Sequence, residues 1–160
     1  AQYCNASNGA SMDFNNAFTI SAWVKEESSG SEMAIVNKSG WTPQTGYKFS
    51  IHSGIPRLRI YDGNSYTDYV SSYTLTNATT YNVIVSYDLD NDEIIHYVYE
   101  KAVGQKATTT VNSLRTLVNY NGDLLFSSSN NFDGVIDDVK LYNRVLTPEE
   151  VWAIQSQGAS

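Results

Sequence analysis

Cysteine is nearly absent. Cys4 is alone in 160 residues, so no intrachain disulfide can form. A cysteine-based zinc site is excluded with it, because His52 and His96 are the only other soft ligands. Positive charge is scarce as well: ten Lys and Arg stand against seventeen Asp and Glu, for a formal net charge of -7. Such a chain repels phosphate backbones, which argues against nucleic acid as a partner, and it offers no basic cluster to anionic lipid. Long hydrophobic runs are missing too; none approaches the ~18 residues of a membrane-spanning helix. Charged residues of either sign make up only 17%, below the ~25% usual for soluble domains. Ser, Thr and Asn supply the polar surface instead. That composition is common in extracellular modules and virion fibres, and it sets the expectation of an extracellular, cell-surface or virion-surface location.

What is present suffices for a core. Hydrophobic residues make up 41% and aromatics 12%, which excludes a disordered chain. The length suits one domain over residues 1–160. Residue 1 is Ala, and no signal-peptide pattern is seen, so the chain reads as a processed protein or a module of a larger one.

Strand alternation punctuated by turns is the dominant pattern. Phe18 to Lys25 puts Ile20, Ala22 and Val24 on one face. Met33 to Asn37 is a short apolar run. Gly46 to His52 turns Tyr47, Phe49 and Ile51 inward; Arg57 to Tyr61 turns Leu58 and Ile60 inward and Arg57, Arg59 and Tyr61 outward. Tyr66 to Val70 is a weaker, Tyr-rich strand. Tyr81 to Asp88 and Glu93 to Glu100 read as a hairpin around Leu89 to Asp92. Ala107 to Val111, Asp123 to Ser127 and Gly134 to Tyr142 complete about ten strands, the spacing of an all-β sandwich. One helix stands at the C-terminus. Thr147-Pro148-Glu149-Glu150 is a capping box with Pro at the first helical position, and Gly158 stops the helix. So short a helix needs a partner, so Trp152 or Ile154 is expected to dock on the sandwich.

Three segments carry a resemblance. Phe18-Thr19-Ile20-Ser21-Ala22-Trp23-Val24-Lys25 resembles the opening strand of laminin-G-like, concanavalin A-like jelly-roll domains. Phe132 to Thr147, with Gly134, Ile136-Asp137, Val139-Lys140-Leu141-Tyr142 and Asn143-Arg144, resembles their closing motif. Tyr81 to Asp88 resembles the strand that in the family usually begins with Trp. Tyr97-Val98-Tyr99-Glu100 departs from the family's Tyr-Val-Asp-Gly. The resemblance implies an all-β antiparallel sandwich of jelly-roll type, one sheet concave, with the short C-terminal helix. It also implies a mostly non-catalytic module that binds glycans or protein surfaces, with a structural calcium ion in some members.

A sugar ring has an apolar C–H face and a rim of hydroxyls, so its site wants flat aromatics beside charged or amide groups. Arg57, Arg59 and Tyr61 share one strand face, and Tyr97 and Tyr99 share another, opposite His96 and Val98. If both strands belong to the concave sheet, they form one Arg/Tyr surface with Lys48, His52, Asn82 and Ser86 nearby, rimmed by Trp41, Tyr66 and Tyr69. Tyrosines also pair across antiparallel strands and stabilise a sheet while binding nothing.

For calcium, Asp88 to Glu93 has alternating carboxylates. It lacks the glycine of an EF-hand, since Glu93 stands there, so the segment reads as a solvated turn. Asp137 and Asp138 sit in an otherwise apolar strand, where a buried carboxylate must be paired, hydrogen-bonded to amides or metal-bound. The family analogy places calcium near the N-terminal segment, where Asn5, Asn8 and Asp13 carry oxygens. Catalysis finds little support. The alternate-position carboxylates of related glucanases are absent, and Glu93 and Glu100 fall on opposite faces of a regular strand. The expected function is therefore non-catalytic recognition of a glycan or polysaccharide. The rival is a structural or adhesive protein–protein module.

Overall fold

The computed structural model describes residues 4–6, 12–30, 32–127 and 132–158. Eleven strands and one helix follow in the order β1 (Cys4–Ala6), β2 (Ala17–Glu26), β3 (Met33–Trp41), β4 (Gln44–His52), β5 (Ile55–Gly63), β6 (Tyr66–Val70), β7 (Thr80–Asp88), β8 (Glu93–Glu100), β9 (Gly104–Val111), β10 (Leu124–Phe126), β11 (Gly134–Tyr142) and α1 (Pro148–Gln157). They form a six-stranded sheet, β1-β10-β3-β4-β5-β6, and a five-stranded sheet, β11-β2-β7-β8-β9, all paired antiparallel. This is the expected jelly-roll sandwich. The strands lie where alternation places them, with β2, β3, β4, β5 and β9 longer than expected, β10 shorter and β1 additional.

The period-2 rule selects the core. Phe18, Ile20, Ala22 and Val24 of β2 meet Tyr47, Phe49, Ile51, Leu58 and Ile60 of the opposite sheet, all at most 1% exposed. One end of the core is aromatic. Phe18 stacks between Phe14 and Tyr87, at 4.9 and 5.1 Å between ring centres, and Tyr47 leans on it at 5.2 Å. The phenols at this end also hold a crossing segment. Tyr87 donates to the Arg115 carbonyl at 2.7 Å, and the Arg115 amide donates to the Tyr69 hydroxyl at 2.7 Å. The segment then reaches Val118, whose amide donates to the Tyr61 carbonyl and whose carbonyl accepts from Gly46. Gly46 lies at φ +98, and a Cβ there would come within 1.9 Å of the Lys38 carbonyl oxygen, so only glycine fits.

Strands β2 and β7 of the five-stranded sheet are buried on both faces, which simple alternation does not anticipate. Thr19, Ser21, Trp23, Asn82 and Ser86 point away from the core yet are at most 3% exposed. The C-terminal segment covers them. Thr19 donates to the Arg144 carbonyl at 2.8 Å and accepts from the Leu146 amide at 3.2 Å. Helix α1 then lies on Ile84, with Val151 and Leu146 buried against it and Tyr97, Tyr142 and Ile154 around them. Ile154 docks as expected. Trp152 does not: it is 59% exposed and meets only the edge of Tyr99, at 6.3 Å. The capping box is formed, with Thr147 accepting from the Glu150 amide and Glu150 accepting from the Thr147 amide.

Candidate functional site

The sequence groups Arg57, Arg59 and Tyr61 with Tyr97 and Tyr99, and the structure separates them. The first three lie on the outer face of the six-stranded sheet through β5; the two tyrosines lie on the outer face of the five-stranded sheet through β8. Period-2 arithmetic assigns the side of a strand correctly but says nothing about which sheet holds it. Asn82 and Ser86 fall on the five-stranded side as well. Tyr97 packs beneath α1, and Tyr99 stands between Trp23 and Trp152. Tyr69 is not a rim residue: it points into the core, is 3% exposed, and its carbonyl meets His96 Nε2 at 3.0 Å. His52 ends β4 six positions beyond Gly46, the partner of Tyr61, which puts it about 20 Å along the strand.

Four of the named residues do converge. The β5–β6 hairpin pairs Tyr61 with Tyr66 and Arg59 with Asp68. Asp62 fastens the turn by accepting from the Asn64 and Ser65 amides at 3.0 and 2.8 Å. Tyr61 and Tyr66 meet at 5.6 Å between ring centres. The Arg59 guanidinium carbon lies 4.0 Å from the centre of the Tyr66 ring. Trp41, the last residue of β3, lies 6.3 Å from Tyr66 and is 66% exposed. Gln44 pairs with Trp41 on one side and Gly63 on the other, so an amide sits between the two turns.

The rest of this face is an ion-pair lattice. Asp68 takes Arg59 Nε and Nη2 at 2.6 and 2.8 Å and Arg57 Nη1 at 3.3 Å. Glu32 takes Arg57 at 2.5 Å and Lys48 at 3.0 Å. Burial would push the Glu32 carboxyl up, but Lys48 and Arg57 outweigh it and hold it down at about 2. Three cations thus share two carboxylates, leaving one positive charge in excess on a chain of net charge -7. Asp68 was legible: a hairpin centred on Gly63 to Ser65 places it opposite Arg59. Glu32 carries no local signal, since only the fold brings it to Lys48 and Arg57.

The expected metal ligands lie in separate places. Asp13 accepts from the buried ammonium of Lys38 at 2.5 Å, beside the Tyr120 carbonyl. Asp138 sits at a β-bulge with φ +51 and pairs with Lys140 at 2.9 Å, while Asp137 Oδ1 accepts from the Asp138 amide. Asn8 lies outside the described residues. Among the described residues no group of three or more His, Cys, Asp or Glu side chains gathers as a metal would require.

Comparison with solved structures finds the same fold at low sequence identity. A carbohydrate-binding module of family 40 from a Ruminococcus gnavus sialidase, bound to α2,3-sialyllactose, superposes with a TM-score of 0.70 at 14% identity, covering 91% of this chain and 85% of that one. A domain of botulinum neurotoxin type C, a toxin described as depending on two ganglioside molecules to enter cells, gives 0.67 at 12% identity, covering 97% of this chain. A botulinum neurotoxin DC binding domain in complex with rat synaptotagmin II gives 0.61 at 14% identity, covering 89% of this chain. This chain spans 39% and 36% of those two toxin chains. No curated protein matches. Residues 1–152 match the sequence profile of a laminin G-like family, and the chain belongs to that family, the concanavalin A-like lectin/glucanases superfamily.

Proposed function

We propose that this chain is a non-catalytic glycan-binding module that receives a sugar at the Trp41–Tyr66 corner of the six-stranded sheet. The observation that carries the reading is an exposed indole beside a tyrosine whose ring is braced from behind by Arg59. A sugar ring lays its C–H face on Trp41 and Tyr66, and its hydroxyls turn to the Gln44 amide at the rim. The solved relatives that bind sialyllactose and depend on gangliosides support glycans as the ligand class. An extracellular or surface location agrees with that class, and no helix among the described residues is long and apolar enough to cross a membrane.

The electrostatics of the face support binding over hydrolysis. A glycosidase needs one carboxyl kept protonated near neutral pH. Glu32 is held at about 2 by two cations, and Asp68 is gripped by two guanidinium groups. Glu32 therefore cannot serve as the acid.

A glycan array followed by calorimetric titration tests the proposal. Trp41→Ala is expected to weaken the best ligand about tenfold or more and to leave Tm unchanged, because the indole is mostly in water. Undiminished binding by Trp41→Ala, or turnover of the bound polysaccharide, would refute it.

A further inference from the structure

A groove of about 220 Å3 lies between helix α1 and β9, the edge strand of the five-stranded sheet. Tyr97 of β8 forms its floor, Pro148, Val151 and Trp152 of the helix form one wall, and Gln105 and Thr108 of β9 form the opposite rim. The register brings the strand residues to the same side. Tyr97 pairs with Thr108 and Tyr99 with Gln105, so all four have the outer parity that meets the helix. The Trp41 corner belongs to the other sheet and shares no residue with this groove.

Two features of the groove go beyond what the fold requires. Val151 is spent on the contact with Ile84, but Trp152 beside it is 59% exposed. Tyr99 meets Trp152 at 6.3 Å with the rings at 76°, edge to face, so most of a broad apolar ring is left in water at the groove. The second feature is on the β9 rim. An exposed glutamine is ordinarily free to turn, and Gln105 is not. Its Nε2 donates to the Ala107 carbonyl at 2.8 Å and to the Thr108 hydroxyl at 3.1 Å, which engages both N–H groups. The amide is thereby fixed with Oε1 as an open acceptor. The Thr108 oxygen already accepts, so its O–H is left as an open donor beside it. Both residues are exposed, so a ligand in the groove can reach them.

This set selects a ligand. The residues lining the groove carry no charge, so it favours neither anion nor cation. A purely apolar ring would cover Trp152 and Tyr97 but would strip water from Gln105 and Thr108 and return nothing. A sugar ring suits both sides. Its C–H face lies on the Trp152 wall, and two adjacent hydroxyls turn to β9, one accepting from Thr108 and the other donating to Gln105 Oε1. We infer that the Trp152–Gln105–Thr108 groove is a second binding site, for one neutral pyranose residue of a glycan. It stands on its own residues and does not depend on the Trp41 corner. With both sites filled, one module bridges two glycan chains, and avidity rather than either affinity sets the strength of attachment.

Two side-chain resonances report on the groove from its two sides. In a 15N-labelled protein the Trp152 indole N–H is assigned by its loss in Trp152→Phe, and the Gln105 side-chain amide by its loss in Gln105→Ala. The probes are the methyl pyranosides of glucose, galactose and mannose, with cyclohexanol as the ring that lacks adjacent hydroxyls. Both resonances are expected to shift saturably with at least one pyranoside and not with cyclohexanol. Trp152→Ala, followed through Gln105, is expected to weaken that binding about tenfold. Thr108→Val, followed through the indole, is expected to weaken it about fivefold, the loss of one neutral hydrogen bond. Trp41→Ala is expected to leave it unchanged. Silence of both resonances with all three pyranosides overturns the inference. So does an equal response to cyclohexanol, a response that survives both Trp152→Ala and Thr108→Val, or one that is lost in Trp41→Ala.

Discussion

Arg59 stands 4.0 Å behind the Tyr66 ring, and Asp68, two residues along the same strand as Tyr66, clamps its guanidinium with two hydrogen bonds. One hairpin thus supplies the ring, the cation under it and the carboxylate that fixes the cation. Removing the carboxylate tests the linkage. Asp68→Ala leaves the Arg59 guanidinium without its carboxylate and Arg57 with Glu32 alone, and it is expected to cost about 2 kcal/mol, between the values of exposed and fully buried pairs. Urea denaturation measures it. Glycan affinity at the Trp41 corner is expected to fall as well, because Tyr66 loses its brace. Unaltered stability would show that the lattice contributes nothing net.

That linkage also shows how far the sequence reaches. Alternation finds Arg57, Arg59 and Tyr61 on one face because local sterics alone impose period 2. The turn at Gly63 to Ser65 then fixes Asp68 and Tyr66 opposite them. Tyr97 and Tyr99 share a face for the same local reason, yet their sheet is set by a topology that interleaves β5 and β8 in different layers. Trp23 has the outward parity of a solvent-facing residue and is nonetheless 2% exposed, because the C-terminal segment closes that face from more than a hundred residues away. Of the two residues expected to anchor that closure, Ile154 packs against it and Trp152 stays exposed. Val151, three positions before Ile154 on the same helix face, is the buried contact with Ile84.

The closure itself can be weakened at one atom. The Thr147 hydroxyl accepts the Glu150 amide at the start of α1. Thr147→Ala is expected to cost about 1 kcal/mol, the usual value of an N-cap oxygen, and Thr147→Ser about nothing. Hydrogen exchange should show α1 and the amides beneath it opening more often in Thr147→Ala while the core strands keep their protection.

Calcium is decided by chelation. Asp13 is already neutralised by Lys38, whose ammonium is 1% exposed, and Asp138 by Lys140. A divalent ion at either carboxylate would have to displace that ammonium or sit beside it. The expected outcome is an unchanged Tm in EDTA. A fall in Tm that added calcium restores would show a bound ion and overturn this expectation.

Glu26 should make stability fall as pH rises towards neutrality. This side chain is 1% exposed at the end of β2, where Gly54 and the Thr74–Leu75 stretch close over it, and neither carboxyl oxygen has a partner. Burial pushes its carboxyl up to about 7 from 4.5. The folded state therefore holds a proton that the unfolded state releases above about 4.5. Stability from this group is full below that pH, declines as pH rises towards 7, and is flat beyond. Glu32 acts in the opposite sense. Its carboxyl, held at about 2, contributes stability above 4.5 that is lost as pH falls towards 2. His96, wholly buried and lowered to about 4 from 6.5, acts in the same sense as Glu32: it contributes stability above 6.5 that is lost as pH falls towards 4, so between 4.5 and 6.5 it offsets Glu26 and the profile is broad. The share of Glu26 alone from pH 5 to pH 8 should be roughly 2 kcal/mol, less than the full shift would give for a wholly dry group. Glu26→Gln keeps the shape and removes that titration, so its Tm should rise from pH 5 to 6.5 with His96 and exceed that of the native chain at pH 8. Thermal melts at pH 5, 6.5 and 8 on both chains separate the cases. Parallel curves would mean that Glu26 does not carry the dependence.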